Sequence, residues 1–454
     1  MAGWEGHVAA RGAFVLGDGS RSTGARHGAR PRRWRGGLLA VILAVALAWG
    51  GMPAGAAQGS QGIQGGWPVD NSGNVVFSKS VLVTLPLMQE AGAGWVRINF
   101  RLGECFSNWT STGCNGKTAL ATYDQVVDAA RSRGLQVLGL LSNEAWRGGQ
   151  EQWVANSAEV AKGSGDNDYL RAFSLNAAVP LAKHFRGRVA AWEVWNEPNA
   201  WTESYGRGRY GGGTFIYPSN FAWLLRHVYE DTRAAGIAGA QLISGGLFGH
   251  DLGGLATVEL TPQGERRVVK RGTFESHGTA PDKANGAGSG KGREGPAAVS
   301  GESGAGYLRA TYDAGRRLAG WEQIKKRYKT YPLDGIGQHL YIDQGSATTG
   351  AKIKAYLDNV RAAYAAYEGK RTAKATHVTE MGWETPNVSQ EVQASNLRTS
   401  YGTARQVGYV ARIFWNAIQD IPEAGLYFGL TYLDGAGSVA KKQSFQAYQE
   451  AAVY

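Results

Sequence analysis

Two glutamates stand out for their neighbours. Residues 191–201 read AWEVWNEPNAW, and 183 positions beyond Glu197 (380 − 197) residues 377–383 read HVTEMGW. Each carboxylate closes an apolar, strand-like run and lies beside indoles. The apolar collar of Trp195, Pro198 and Trp201 is expected to desolvate Glu197 and raise its pKa, as a proton donor working near neutrality requires. A second carboxylate kept ionised by a cation and a hydroxyl is a nucleophile. Cleavage of a glycosidic bond needs a pair in these two states.

Other side chains suited to that chemistry end other apolar runs: Arg97 in GWVRINF, Trp146 in LLSNEAW, His339 and Tyr341 in GIGQHLYID, and Trp415 in RIFWNAI. Arg97 and the Tyr341 hydroxyl are expected to hold Glu380 charged and oriented. Asn196 is placed to hydrogen-bond a sugar 2-hydroxyl, a contact that strengthens in the transition state. His339, two residues before Tyr341, shares its strand face and is assigned to the site. Trp146, Trp201, Trp383 and Trp415 are expected to offer apolar faces to sugar rings. Glu193 lies about 13 Å deeper along its strand than Glu197 and reads as a buried, paired structural carboxylate. Trp109 reads as packing within its loop.

The elements that must position these groups alternate in type. In TYDQVVDAARSRG, residues Tyr123, Val126, Val127 and Ala130 fall at i, i+3, i+4, i+7, Gly134 supplies a C-terminal stop, and a buried strand at 135–141 follows. Ile353, Tyr356, Leu357, Val360, Tyr364 and Tyr367 repeat the helical spacing, closed by Gly369. Candidate strands fall near 62–65, 94–100, 135–141, 189–197, 240–248, 334–341, 374–380 and 411–416. Eight strands alternating with helices predict an α/β fold, a closed (β/α)8 TIM barrel whose active residues lie at the C-terminal strand ends. An open doubly wound sheet fits less well, because no GxGxxG turn opens a first helix. Residues 251–304 form an insertion after strand five, with a basic hairpin-like piece followed by a glycine-rich tract. Without those 54 residues the two glutamates lie 129 apart (183 − 54), a comfortable length for three βα units.

WNEPN followed by TEMGW, with H-x-Y between them and a Trp on the last strand, resembles clan A glycoside hydrolases, families 5 and 39 being nearest. The resemblance covers nearly all of the chain after residue 57. It implies a retaining glycosidase with Glu197 as general acid/base and Glu380 as nucleophile, supported by Arg97, Asn196, His339, Tyr341 and Trp415. The SNEAW segment departs from family 5, where a His is usual, and Trp146 leans toward family 39. The implied substrates are β-linked oligo- or polysaccharides of glucan, mannan or xylan type. The alternatives are an exo-acting β-glycosidase and a non-catalytic carbohydrate-binding barrel. No cofactor or metal is expected.

Composition agrees with a globular enzyme: 43% hydrophobic and 19% charged. Of the net charge of +11, residues 1–37 supply +5, from seven Arg against Glu5 and Asp18. No dense basic stripe follows, which argues against a nucleic-acid partner. That basic stretch precedes twelve apolar residues, Leu38–Trp49, and an Ala-X-Ala-like site at Ala54–Ala56. Residues 1–57 therefore read as a disordered basic region plus signal peptide, cleaved near Ala56, with 58–454 as the secreted catalytic domain. Twelve apolar residues are short for a bilayer span, an uncleaved anchor being the alternative. Cys105 and Cys114 read as a loop disulfide of an exported protein.

Overall fold

The chain divides into two compact units, Met1–Ala57 and Gln58–Tyr454. The computed structural model describes residues 60–65, 84–113, 116–146, 165–199, 216–237, 239, 241–248, 304–371, 373–422 and 425–452, and the backbone of 257–260, 266–270 and 299–300. The expected signal segment, Cys114, Trp201 and the glycine-rich tract lie outside the described residues.

Eight parallel strands close a barrel: β1 (Gln61–Gln64), β2 (Trp95–Asn99), β3 (Gln136–Leu141), β4 (Ala191–Val194), β5 (Gln241–Ser244), β6 (Gly335–Leu340), β7 (Ala375–Met381) and β8 (Val410–Trp415). Each pairs with its neighbours in order, and β1 closes the ring against β8 and β2. This is a (β/α)8 TIM barrel. The insertion carries a small antiparallel sheet of Thr257–Leu260 between Arg266–Lys270 and Val299–Ser300.

The helices follow from the spacing that predicts them. Around the barrel lie α1 (Leu85–Glu90), α2 (Ala119–Ser132), α3 (Asp168–Phe173), α4 (Val179–His184), α5 (Pro218–Ala234), α6 (Gly304–Arg317), α7 (Trp321–Tyr328), α8 (Gly350–Glu368), α9 (Gln390–Gln406) and α10 (Gln443–Ala452). In α2, Thr118 caps the first turn by accepting from the Ala121 amide at 3.1 Å, and Tyr123, Val126, Val127 and Ala130 are buried.

Strand alternation sorts the barrel interior from its outer layer. Trp95, Leu138, Ala191, Ile243 and Phe414 pack together inside the ring. Val96, Ile98, Val137, Trp192 and Ile413 face the helices. On β2 this alternation directs Trp95, Arg97 and Asn99 inward, at successive levels toward the C-terminal rim. The lowest level is apolar and the upper two are polar, so β2 alone locates the chemistry at the rim.

Candidate active site

β2 contributes Arg97, fully buried, with one acceptor for each nitrogen. Its Nε donates to Glu193 Oε2 at 2.6 Å, Nη1 to Glu380 Oε1 at 2.5 Å and Nη2 to Asn196 Oδ1 at 2.9 Å. Burial works against the guanidinium charge, but the charges of Glu193 and Glu380 outweigh it, and its pKa is raised.

β4 ends at Val194, and the chain then turns through two non-glycine residues of positive φ, Trp195 (76°) and Glu197 (42°). Such conformations cost of order 1–3 kcal/mol each and persist where the surroundings hold them. Here they aim Asn196 at Arg97 and Glu197 at β6. Glu193, inside the strand, is fully buried and takes up both oxygens, as the sequence predicts for a paired structural carboxylate.

β6 sends His339 and Tyr341 inward at i and i+2. His339 Nδ1 lies 2.9 Å from Glu197 Oε1 and 3.7 Å from Glu380 Oε2. Its Nε2 faces Gly246, where a Cβ would stand 2.1 Å away, so only glycine fits there. Among the described residues Nε2 has no hydrogen-bond partner, and Nδ1 is the ring nitrogen at hydrogen-bond distance from Glu197. Burial lowers the pKa of this imidazole, yet Glu380 and Glu197 outweigh that and raise it above its ordinary value. The Tyr341 hydroxyl donates to Glu380 Oε2 at 2.7 Å and accepts from Asn416 Nδ2 at 2.6 Å.

β7 resolves a conflict of parity. His377 and Thr379 point inward, so strict alternation would send Glu380 out toward the helices. The pairing register against β6 shifts between Val378 and Glu380, and this irregularity turns Glu380 inward as well. Burial would raise the pKa of Glu380, but the charges of His339 and Arg97, then hydrogen bonds from Tyr341 and Arg97, hold it below the usual carboxylate range. Glu380 is therefore ionised at neutral pH.

Six of the expected residues thus form one connected set: Arg97, Asn196, Glu197, His339, Tyr341 and Glu380. Glu197, His339 and Glu380 each offer an atom within 4.8 Å of the others. These three are also types that ligate metals; here Arg97 and the His339 proton serve as counter-charges to the carboxylates.

The tryptophans need correction. Trp383 and Trp415 are fully buried behind the rim, 6.0 Å apart, and offer no face to a sugar. Trp383 Nε1 donates to Asp343 O at 3.2 Å and Trp415 Nε1 to Phe428 O at 2.9 Å. The reason is parity: Trp415 shares the outward face of Ile413, while Phe414 packs inside the barrel. The side chain that reaches the site just past β8 is Asn416, a neighbour that sequence reading missed although RIFWN displays it. Trp195 is likewise fully buried, 5.8 Å from Phe173 of α3, and the group at hydrogen-bond distance from Glu197 is an imidazole rather than an indole. Trp146 is half-buried against the main core, and Trp109 is fully buried with its Nε1 on Ala145 O at 2.8 Å.

A further rim group was also missed. Asn99, two residues beyond Arg97, donates to Glu144 Oε2 at 2.8 Å, and Arg101 lies 3.3 Å from Glu144 Oε1 with both side chains partly exposed. The alternation that places Arg97 inside also places Asn99 there.

No protein-family model matches the chain, and no curated protein sequence does. Solved structures do. A β-glucosidase from Thermotoga maritima in complex with deoxynojirimycin is 11% identical, over 88% of this chain and 98% of that one, at a TM-score of 0.50. A broad-specificity GH5-4 endoglucanase from Clostridium longisporum is 13% identical, over 87% and 96%, also at 0.50. Both share the barrel fold. A family 39 glycoside hydrolase from Bacteroides cellulosilyticus WH2 is 15% identical at a TM-score of 0.45 over 87% of this chain, which spans only 63% of that protein's length.

Proposed function

We propose that this protein is a retaining β-glycosidase that cleaves β-linked oligo- or polysaccharides of glucan, mannan or xylan type by double displacement. One observation carries the proposal: two carboxylates, one held ionised, present oxygens within 4.8 Å of each other at the C-terminal rim of the barrel. Retaining enzymes hold their carboxyl groups about 5–5.5 Å apart, whereas inverting ones leave about 6.5–9.5 Å for a water. The solved glycosidases that share the fold agree with a carbohydrate substrate.

In the first step Glu380 attacks the anomeric carbon while Glu197 gives its proton to the departing glycosidic oxygen. The Glu197 side chain keeps 21% exposure, which leaves it open to a sugar seated over the site. In the second step the Glu197 carboxylate accepts a proton from water, whose oxygen bonds to the anomeric carbon as the ester bond breaks and Glu380 leaves as a carboxylate. Asn196 has its oxygen committed to Arg97, which leaves its Nδ2 donors for a sugar hydroxyl. Arg97, Tyr341 and His339 stabilise the charge on Glu380 before it attacks.

Export through the N-terminal signal segment, with cleavage near Ala56, belongs to the same proposal, as does a Cys105–Cys114 disulfide. Cys105 Sγ lies beside Gly113, 3.1 Å from where a Cβ would stand, next to the partner residue in sequence.

Product analysis tests the function. The mature chain and its Glu380→Ala variant are incubated with β-glucan, mannan, xylan and aryl β-glycosides. Short oligosaccharides from one polymer, absent with the variant, are expected. Monosaccharide alone would mark exo action, and sugar binding without any product would mark a non-catalytic barrel.

A further inference from the structure

Arg97 reaches Glu380 through one of its three nitrogens. A guanidinium is planar, so anchoring Nε together with one Nη fixes the plane of the whole fork. The Nε anchor is Glu193 Oε2 at 2.6 Å. The other oxygen of Glu193 accepts from the Gly246 amide and from Thr379 Oγ1, each at 2.8 Å. One fully buried carboxylate therefore ties together β2, β4, β7 and the turn after β5. Stability alone does not call for it. A buried ion pair is often matched by apolar groups of similar volume, and Glu380 already neutralises Arg97.

We propose that Glu193 is a positioning residue for the reaction: it sets the plane in which Arg97 presents Nη1 to Glu380 and Nη2 to Asn196, and it draws part of the guanidinium charge away from the nucleophile. This rests on Glu380 being the nucleophile. The charged and titratable groups around the Arg97–Glu380 pair are Glu193 and Glu197 from β4 and its turn, and His339 and Tyr341 from β6 and its end. Neutralising Glu193 removes one negative charge from this set, so Glu380 is protonated less readily and attacks less strongly.

The test is Glu193→Gln. Its amide oxygen can accept from Arg97 or from the Gly246 and Thr379 donors, but not from both. Rates are measured from about pH 3 to about pH 9 on whichever 4-nitrophenyl β-glycoside of glucose, mannose or xylose the wild type turns over. The expected result is a kcat lower by about 10- to 100-fold with KM within about threefold, and an acidic limb of kcat/KM displaced to lower pH. Wild-type kcat, or a loss that follows only the fraction of folded protein with the acidic limb unmoved, would overturn the role. Should Glu193→Gln not fold, Thr379→Val, which removes one of the three donors, decides. A kcat lowered by about threefold at unchanged KM is expected, and an unchanged kcat overturns the role.

Glu380→Ala with added azide separates the two levels. An α-glycosyl azide from this variant, beside a Glu193→Gln enzyme of normal kcat, removes the role of Glu193 alone. No azide product, or no turnover of any glycoside by the wild type, removes the nucleophile assignment and the role of Glu193 with it.

Discussion

The barrel holds an arginine beside a histidine at each end, and the two ends treat them oppositely. At the C-terminal rim Arg97 meets two carboxylates and His339 lies between two, and both pKa values are raised. At the N-terminal end Arg412 has Gln241 Oε1 at 2.8 Å, His377 Nδ1 at 3.3 Å and the Trp95 ring at 4.2 Å. There burial lowers the pKa of Arg412, and burial with the Arg412 charge pushes His377 down to about 3. The residue types are the same at both ends and both histidines are buried, while Arg97 is fully buried and Arg412 only partly so; converging carboxylates make the difference. Burial beside a cation keeps the His377 imidazole neutral, whereas burial among counter-charges favours the charged forms at the rim.

Substitutions at the two ends test this contrast. The largest effect is expected for Glu380→Ala, a fall in kcat on the order of 10⁵-fold, read by steady-state turnover. Glu197→Ala should slow unactivated substrates by about 10²- to 10⁴-fold and 2,4-dinitrophenyl glycosides far less, because that leaving group needs little protonation. Tyr341→Phe removes one hydrogen bond to a charged group and should lower kcat by about 10-fold, with the acidic limb of the pH profile moving up. At the other end, Arg412→Met should leave kcat/KM within about twofold. Equal losses at Arg412 and Tyr341 would erase the contrast.

The histidines extend it to stability, with opposite signs. His377 is neutral when folded and binds a proton readily when unfolded. Its contribution is present above about pH 6.5 and is lost as pH falls toward about 3. Thermal melts of His377→Gln should therefore show a shallower decline over that range, with kcat unchanged. His339 has a raised pKa, so the stability from its protonation is present below 6.5 and fades as pH rises through the higher folded value.

Most of this architecture can be read from the sequence. Apolar runs alternating with helical spacing locate all eight strands, with bounds displaced by at most four residues. Both glutamates and their polar partners fall where strand ends predict. What is hidden depends on local departures from alternation. The register shift in β7 and the positive φ angles after β4 decide which side chains face the axis, and no residue type announces either. Trp415, by contrast, obeys the alternation of β8, with Phe414 inside the barrel; a Trp near a strand end, there or at Trp383, fits a sugar platform or a core plug, and only the facing distinguishes them.

The most direct measurement is the anomer released first. Proton NMR of the initial hydrolysis of a β-glycoside by the mature enzyme should show the β-anomer ahead of mutarotation, as double displacement at Glu380 requires. First appearance of the α-anomer would mean a single displacement by water, and Glu380 would not be the nucleophile.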